Sequence, residues 1–300
     1  MDFTSNFIVQ LINGIALGST YALIALGYTM VYGIIMLINF AHGEIYMVGA
    51  FVGLALVTIF KVHIIIAFLG AMLFCMLMAV SIEIIAYRPL RRSKRLAALI
   101  SAIGISIILS NLVNLLVGPK PQTFPSIEKI LFEIKSFDLI AGAQINTLQI
   151  LLIIVSAILM IGLQYIVKRT KVGKAMRATS QDYDTAALMG INVNRIISYT
   201  FAIGSALAGA GGVLVGIYFG VVKYNMGMLP GMKAFTAAVL GGIGSIPGAM
   251  FGGIILGVIE MMTVAIGFSS YRDAIAFGIL ILVLLIKPTG LFGKQIFKKV

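Results

Sequence analysis

An all-α fold, a polytopic transmembrane helical bundle, is what three features of this 300-residue sequence predict. Hydrophobic residues make up 60% of the chain and charged residues only 11%, and the mean hydropathy of +1.09 lies far outside the range of soluble globular domains. Apolar runs of the roughly 20 residues that a spanning helix needs recur along nearly the whole chain. The basic residues behind the net charge of +12 cluster beside those runs. They do not spread over a face with interleaved aromatics, so the charge implies a lipid bilayer and no nucleic acid.

The runs fall at 7–35, 43–60, 62–87, 97–117, 147–167, 196–219, 248–268 and 274–287, with a short one at 231–243: eight spans plus a broken helix. Residues 1–300 thus read as a single transmembrane domain. The basic clusters are Arg88–Arg95 (RPLRRSKR), Lys168–Arg177 (KRTKVGKAMR) and Lys287–Lys299, and the positive-inside rule puts all three on the cytoplasmic side. The pair 97–117 and 147–167 then leaves 118–146, with its prolines and mixed charges, as an external loop. Three crossings before Arg88 put the N-terminus outside. MDFTSNF has no basic n-region, and the run behind it is longer than a signal-peptide core, so no cleavage is expected. The C-terminus comes out cytoplasmic only if 231–243 is a short crossing.

Two interruptions break the apolar pattern: "NFAHGE" at 39–44, with Asn39, His42, Gly43 and Glu44, and "GGIGSIPG" at 241–248, with Gly241, Gly242, Gly244 and Ser245. Each is reached from outside and followed by two apolar spans and a basic cluster. Unwound backbone is tolerated at membrane depth only where it is buried in protein or lines a cavity, so paired interruptions point to a transport site. The match between 37–95 and 241–299 is one of pattern, and an ancient duplication is one reading of it. Broken helices offer free N–H groups to a carboxylate and freed carbonyls to an ammonium, which suits an amino-acid backbone without requiring one.

Carboxylates within or beside spans are functional candidates because charge at membrane depth is costly. Glu260 is deep and reads as a cavity group or a structural hydrogen-bonding partner. Glu83, close in sequence to Arg88, reads as a boundary residue or a coupling group. Glu44 follows the first break, where an acidic side chain complements a helix dipole, as a cap or a path residue. His42 is a turn residue or a ligand contact; no Cys, Asp or second His stands at metal-binding spacing from it. Gly204, Ala208, Gly212 and Gly216 form a small stripe, and Gly14/Gly18, Gly49/Gly53, Gly248/Gly252 and Gly253/Gly257 repeat its spacing, as close helix packing in lipid requires. The lone Cys75 reads as a small buried hydrophobe.

The longest inside segment, 168–195, begins basic and then predicts a short helix over 180–189 within "SQDYDTAALMGIN", stopped by Gly190. Such a helix can dock on a soluble partner. No G-x-x-x-x-G-K-[ST] occurs, since "TGLFGK" has the wrong spacing, and no Ser/His/Asp or H-E-x-x-H arrangement is present. The chain is therefore not expected to be an enzyme.

Four long blocks, "LINGIALGSTYALIALGYTMVYGIIMLINFAHGEIYM", "AYRPLRRSKRLAALISAIGISI", "MGINVNRIISYTFAIGSALAGAGGVL" and "GMKAFTAAVLGGIGSIPGAMFGGIILG", resemble in order the H-type permease subunit of bacterial branched-chain amino-acid ABC transporters. The resemblance covers nearly the full chain and is broken mainly at 118–146. It implies an inner-membrane permease for leucine, isoleucine and valine. It also implies a heterodimer with a second related permease, two cytoplasmic ATPase subunits that use ATP, and a periplasmic solute-binding protein. This chain would need no cofactor. By analogy Gly173, Arg177, Asp182, Ala186, Ala187, Gly190 and Ile191 would form the coupling segment on the ATPase. The segment departs from the Glu-Ala-Ala-x-x-x-Gly pattern of ABC importers: Thr185 stands where Glu would be, and only Leu188 and Met189 separate Ala187 from Gly190. The solute would pass between the two permeases along the faces carrying the two breaks. Three competing readings are an ion-coupled carrier using Glu44, Glu83 and Glu260, a passive channel, and an ABC permease for another solute such as urea or amides.

Overall fold

The computed structural model describes residues 3–91, 93–125, 135–138 and 142–293. Most of the expected external loop and the tail lysines Lys294, Lys298 and Lys299 lie outside the described residues. The helices are α1 (Phe3–Ile35), α2 (His42–Thr58), α3 (Ile64–Ile82), α4 (Arg95–Val117), α5 (Thr147–Arg169), α6 (Lys171–Gln181), α7 (Tyr183–Leu188), α8 (Val193–Phe219), α9 (Met228–Gly241), α10 (Ile246–Ala265) and α11 (Arg272–Ile286). Seven of the described helices are long and apolar enough to cross a bilayer. The run expected at 43–60 forms α2, whose 17 residues rise about 25 Å, and the broken helix expected at 231–243 is the 14-residue α9.

The basic clusters gather at one end. Arg88 and Arg91 donate to Ser198 and Asn194 near the start of α8. Arg177 and Ser180 share a crevice with Gly33 and Ile34 of α1 and Ile246 of α10. The amides of Leu291 and Phe292, just past Lys287, bond to the carbonyls of Leu240 and Gly241. This is the cytoplasmic end by the positive-inside rule. At the other end two small antiparallel ladders tie down the polar segments. β1 (Gln122–Thr123) pairs with β4 (Val221–Val222), and β2 (Ser136–Asp138) pairs with β3 (Gln144–Asn146). The α5 helix starts there with a capping box between Asn146 and Gln149.

α8 is the central helix, buried on nearly every side along its second half, with α1, α2 and α3 packed directly on it and α9 and α10 packed on the far side of α1. The glycine pairs are the seams. A Cβ on Gly18 or Gly257 would run into the facing backbone of the α1–α10 pair, and one on Gly49 into Gly209 across the α2–α8 pair. With no water to expel between helices, such backbone contact supplies the packing energy. Cys75 is buried against Gly209 and donates weakly to the Ile45 carbonyl at 3.5 Å. The outer helices keep apolar faces outward, as at Leu115, Ile85 and Leu285, where they meet lipid or a neighbouring chain.

Between Gln181 and Tyr183 the backbone extends at Asp182 (φ −159°), so the single helix expected over 180–189 is instead two, α6 and α7. The reason is local: an aspartate that accepts from the N–H three residues on favours the cap geometry over helix continuation.

Candidate functional site

The first interruption occupies residues 36–41. It carries the chain from the cytoplasmic end of α1 back into the bundle, where α2 begins at His42. A Cβ on Gly27 would overlap the His42 ring, so the start of α2 lies level with Gly27. Eight residues separate Gly27 from the end of α1, about 12 Å of rise. The N-terminus of α9 comes to the same point from the outside, because Gly43 packs on the backbone of both Gly227 and Gly231. Two short helices thus start together inside the bundle and run apart, α2 outward and α9 inward.

The side chains here are buried and incompletely paired. Asn39 Oδ1 accepts from the Ala41 amide at 3.1 Å and from the Tyr87 hydroxyl at 2.7 Å, which fixes the interruption to the end of α3. The His42 ring meets Tyr28 edge-on at 5.0 Å, Tyr28 meets Phe235 at 6.0 Å, and neither ring nitrogen of His42 makes a hydrogen bond of standard geometry. Glu44 lies in the first turn of α2; one carboxylate oxygen accepts from Ser106 at 3.4 Å and the other, against Gly227, has no hydrogen-bond partner. Its side chain makes no capping bond to α2, and the dipoles of both α2 and α9 favour its negative charge.

Glu260 sits 14 residues into α10, about 21 Å from its cytoplasmic start. Its partners come from three other helices. Lys233 Nζ of α9 donates at 2.7 Å, the Tyr21 hydroxyl of α1 donates at 3.0 Å, and Arg272 of α11 stands at 3.7 Å. Lys233 also pairs with Asp273 at 2.6 Å. Lys233 is the residue that pattern reading missed; its signal was a lysine inside an apolar half-helix, which default reasoning about membrane charges flags. Because helix side chains lean toward the N-terminus, its long stem reaches outward from α9 to Glu260.

Gly241, Gly242, Gly244 and Ser245 stand apart from both groups. Gly242 packs on Gly293 and Gly290, Gly244 faces Gly33, and Ser245 caps α10 by accepting from the Gly248 amide at 3.2 Å. Tyr21, Gly27 and Gly33 mark the levels of Glu260, His42 and Gly244 along α1. At 100° per residue they face three different sides of that helix. The structure brings the polar residues of 39–44 to 227–231, and the second interruption meets the first only at Ile243, which shares a small cleft with Ile38, Tyr28 and Phe235. The signal for this was weak, since "KYNMGMLPG" at 223–231 reads as an ordinary polar turn.

Glu83 is fully buried in a π-helical turn, Glu83–Tyr87, at the end of α3. It accepts from Arg88, Arg91 and Ser198, the last at 2.6 Å, and so serves as the anchor of the first basic cluster. Arg91 has its pKa lowered by burial, against the opposing pull of Glu83.

The segment 168–195 hangs from this end. Thr170 caps α6 by accepting from the Gly173 amide at 3.1 Å, and Gly173 lies so close to the Val167 carbonyl that a Cβ there would overlap it. Arg177 donates to the same carbonyl. Asp182 caps α7 by accepting from the Thr185 amide at 2.9 Å; these bonds hold its pKa below the usual carboxylate range. α7 ends in a Schellman turn: Gly190, at φ +83°, donates to Ala187 and Ile191 to Ala186. Ala186 faces inward, Leu188 and Met189 project into solvent at 87% and 79% exposure, and the Tyr183 hydroxyl donates to the Ile34 carbonyl at the end of α1.

The family described as branched-chain amino acid transport system / permease component matches residues 10–284. The high-affinity branched-chain amino acid transport system permease protein LivH of Salmonella typhimurium is 47% identical over 98% of this chain and 98% of its own length. The corresponding BraD protein of Pseudomonas aeruginosa is 46% identical, again over 98% of each. A probable branched-chain amino acid transport permease protein LivH of Methanocaldococcus jannaschii is 29% identical over 90% of this chain and 88% of its own.

Proposed function

We propose, from the premise that this chain belongs to the family of permease components of branched-chain amino acid transport systems, that it carries leucine, isoleucine and valine across the inner membrane as one subunit of an ATP-driven importer. The observation that carries the coupling part of this reading is α7: a capped six-residue helix at the cytoplasmic end, its apolar tip exposed and its Tyr183 bonded to the end of α1. A carrier driven by an ion gradient needs no such device. In this reading Gly173, Arg177, Asp182, Ala186, Ala187, Gly190 and Ile191 shape the coupling segment. Leu188 and Met189 enter the ATPase, and ATP is bound and hydrolysed there, not on this chain. The remaining partners are a second, related permease, a second ATPase and a periplasmic binding protein.

The solute passes Glu260 and the α2–α9 junction of Asn39, His42, Gly43 and Glu44. The turn at Gly241, Gly242, Gly244 and Ser245 closes the cytoplasmic end. The chemistry at the junction supports this: two helix starts and two incompletely paired polar side chains are buried where a wholly structural contact would be apolar. The test is labelled leucine uptake in a strain lacking the gene, restored with the wild-type chain or with Leu188→Asp/Met189→Asp, and with ATPase subunits pulled down from each. Wild type restores uptake that isoleucine and valine compete and urea does not, and holds the ATPases. The variant reaches the membrane and does neither. Uptake by the variant would remove the coupling assignment.

A further inference from the structure

Beside Glu260 a cavity of about 640 Å³ opens among α1, α8, α9, α10 and the start of α11. Its lining combines an ionic group, Lys233, Glu260, Arg272 and Asp273, with apolar side chains, Val215 and Phe219 of α8 and Leu229, one turn before Lys233 on α9. The volume is that of ordinary small-molecule sites. Exposed Lys223 and Asn225 at its rim place its mouth on the outer side.

We propose that this cavity is a binding station for a zwitterionic α-amino acid with an aliphatic side chain. The proposal rests on the import reading and adds the place where this chain itself holds the substrate. The solute carboxylate takes the position of Glu260 on Lys233, and the solute ammonium takes the position of Lys233 on Glu260.

Charge bookkeeping selects this ligand class. The ionic group carries two cations and two anions, and its central pair is almost wholly buried, with Lys233 5% and Glu260 1% exposed. A zwitterion inserted between them hands each ion a new opposite charge and leaves the total at zero. A cation or an anion would leave one unit of charge uncompensated, and a neutral amide would part the pair and supply nothing in return. The Tyr21 hydroxyl, at 3.0 Å, keeps Glu260 aimed during the exchange, and its ring stands 5.8 Å from Lys233 Nζ. The aliphatic side chain then lies along Val215, Phe219 and Leu229. Because one ion pair must open for two to form, binding is weak, in the roughly millimolar range that a transit site requires.

The experiment uses the complex with its partner permease and ATPases, purified without binding protein and carrying Leu229→Cys. Leu229 is half exposed and Cys75 is fully buried, so a polar maleimide reads the cavity. Leucine at about four times its Kd should slow labelling about fivefold. 4-Methylpentanoate and leucinamide, which each lack one of the two charges, should not. Glu260→Gln should abolish the protection. Arg272→Gln, which leaves the buried pair intact and so leaves folding undisturbed, should weaken it severalfold. Labelling indifferent to leucine, or slowed equally by all three compounds, overturns the station. If binding-protein-dependent leucine uptake by the wild-type complex is normal in that case, the import reading stands without it; if uptake is absent as well, both fall.

Discussion

Gly43 and Gly227 touch backbone to backbone, so the helices that begin at His42 and Met228 present their N-termini to one point inside the bundle. Both are shorter than the seven described helices long and apolar enough to cross a bilayer, and Glu44 lies at their shared start with one carboxylate oxygen against Gly227 and without a hydrogen-bond partner. The contact of Gly43 with Gly227 is possible only because neither residue has a side chain.

Gly43→Ala should therefore be costly out of proportion to one methyl group. Its Cβ would meet the Gly227 carbonyl and the Gly231 Cα, backbone atoms that cannot swing away, at about 1–3 kcal/mol. Gly104→Ala on α4, where nothing lies within 4 Å, should be neutral or slightly stabilising. Thermal melts of the purified complex compare the two; equal melting points would dissolve the α2–α9 contact.

Lys233→Met should destabilise by about 3–5 kcal/mol, because Glu260 is left charged and buried with its nearest donor gone. The double variant Lys233→Met/Glu260→Leu should recover most of that loss, since Arg272 and Asp273 remain as partners for each other. A double-mutant cycle on unfolding reads the coupling. Additive single losses would mean that the two side chains do not depend on each other.

Much of this arrangement was legible from residues alone. The long apolar helices, the packing glycines and the gathering of the first two basic clusters at one end follow from hydropathy and spacing, which report how a segment sits in lipid, while the run expected at 43–60 as a full span is the shorter α2. Glu260 was recognisable as a buried charge, yet Lys233 was not named with it. Sequence distance conceals a partner on another helix, and a lysine 27 positions away gives no local sign of its reach. The pairing of 39–44 with 241–248 rested on similar surroundings; which helix starts meet depends on how α9 enters the bundle, a three-dimensional fact. At α7 the Gly190 stop was legible as a left-handed terminus, while the break at Asp182 depended on whether its side chain would cap or continue, a balance of single hydrogen bonds.

Asp182→Ala should fray α7 and weaken recovery of the ATPase subunits, and Asp182→Asn, which still accepts from Thr185, should largely preserve it. The pH dependence has a defined sign. The folded pKa is lowered, so the contribution of the ionised cap is fully present above the ordinary aspartate value of about 3.9 and is lost as pH falls through the lower folded value. Pull-downs between pH 6 and 8 should be flat for wild type. A loss over that window would point to a group other than Asp182.

Tyr183→Phe removes one hydrogen bond, the link from α7 to the Ile34 carbonyl, and leaves the Leu188–Met189 tip unchanged. Assembly with the ATPases should persist while leucine uptake per ATP hydrolysed falls by up to about tenfold, the scale of a single bond worth about 0.5–1.5 kcal/mol. Uptake per ATP at the wild-type value would show that α7 and α1 move independently.

The most direct measurement of the central claim is labelled leucine accumulation in proteoliposomes that hold this chain, its partner permease and the ATPases, with binding protein on the outer face. The account predicts accumulation that requires both ATP inside and binding protein outside and that a protonophore leaves unchanged. Accumulation driven by a proton or sodium gradient without ATP would contradict it and make the chain a secondary carrier.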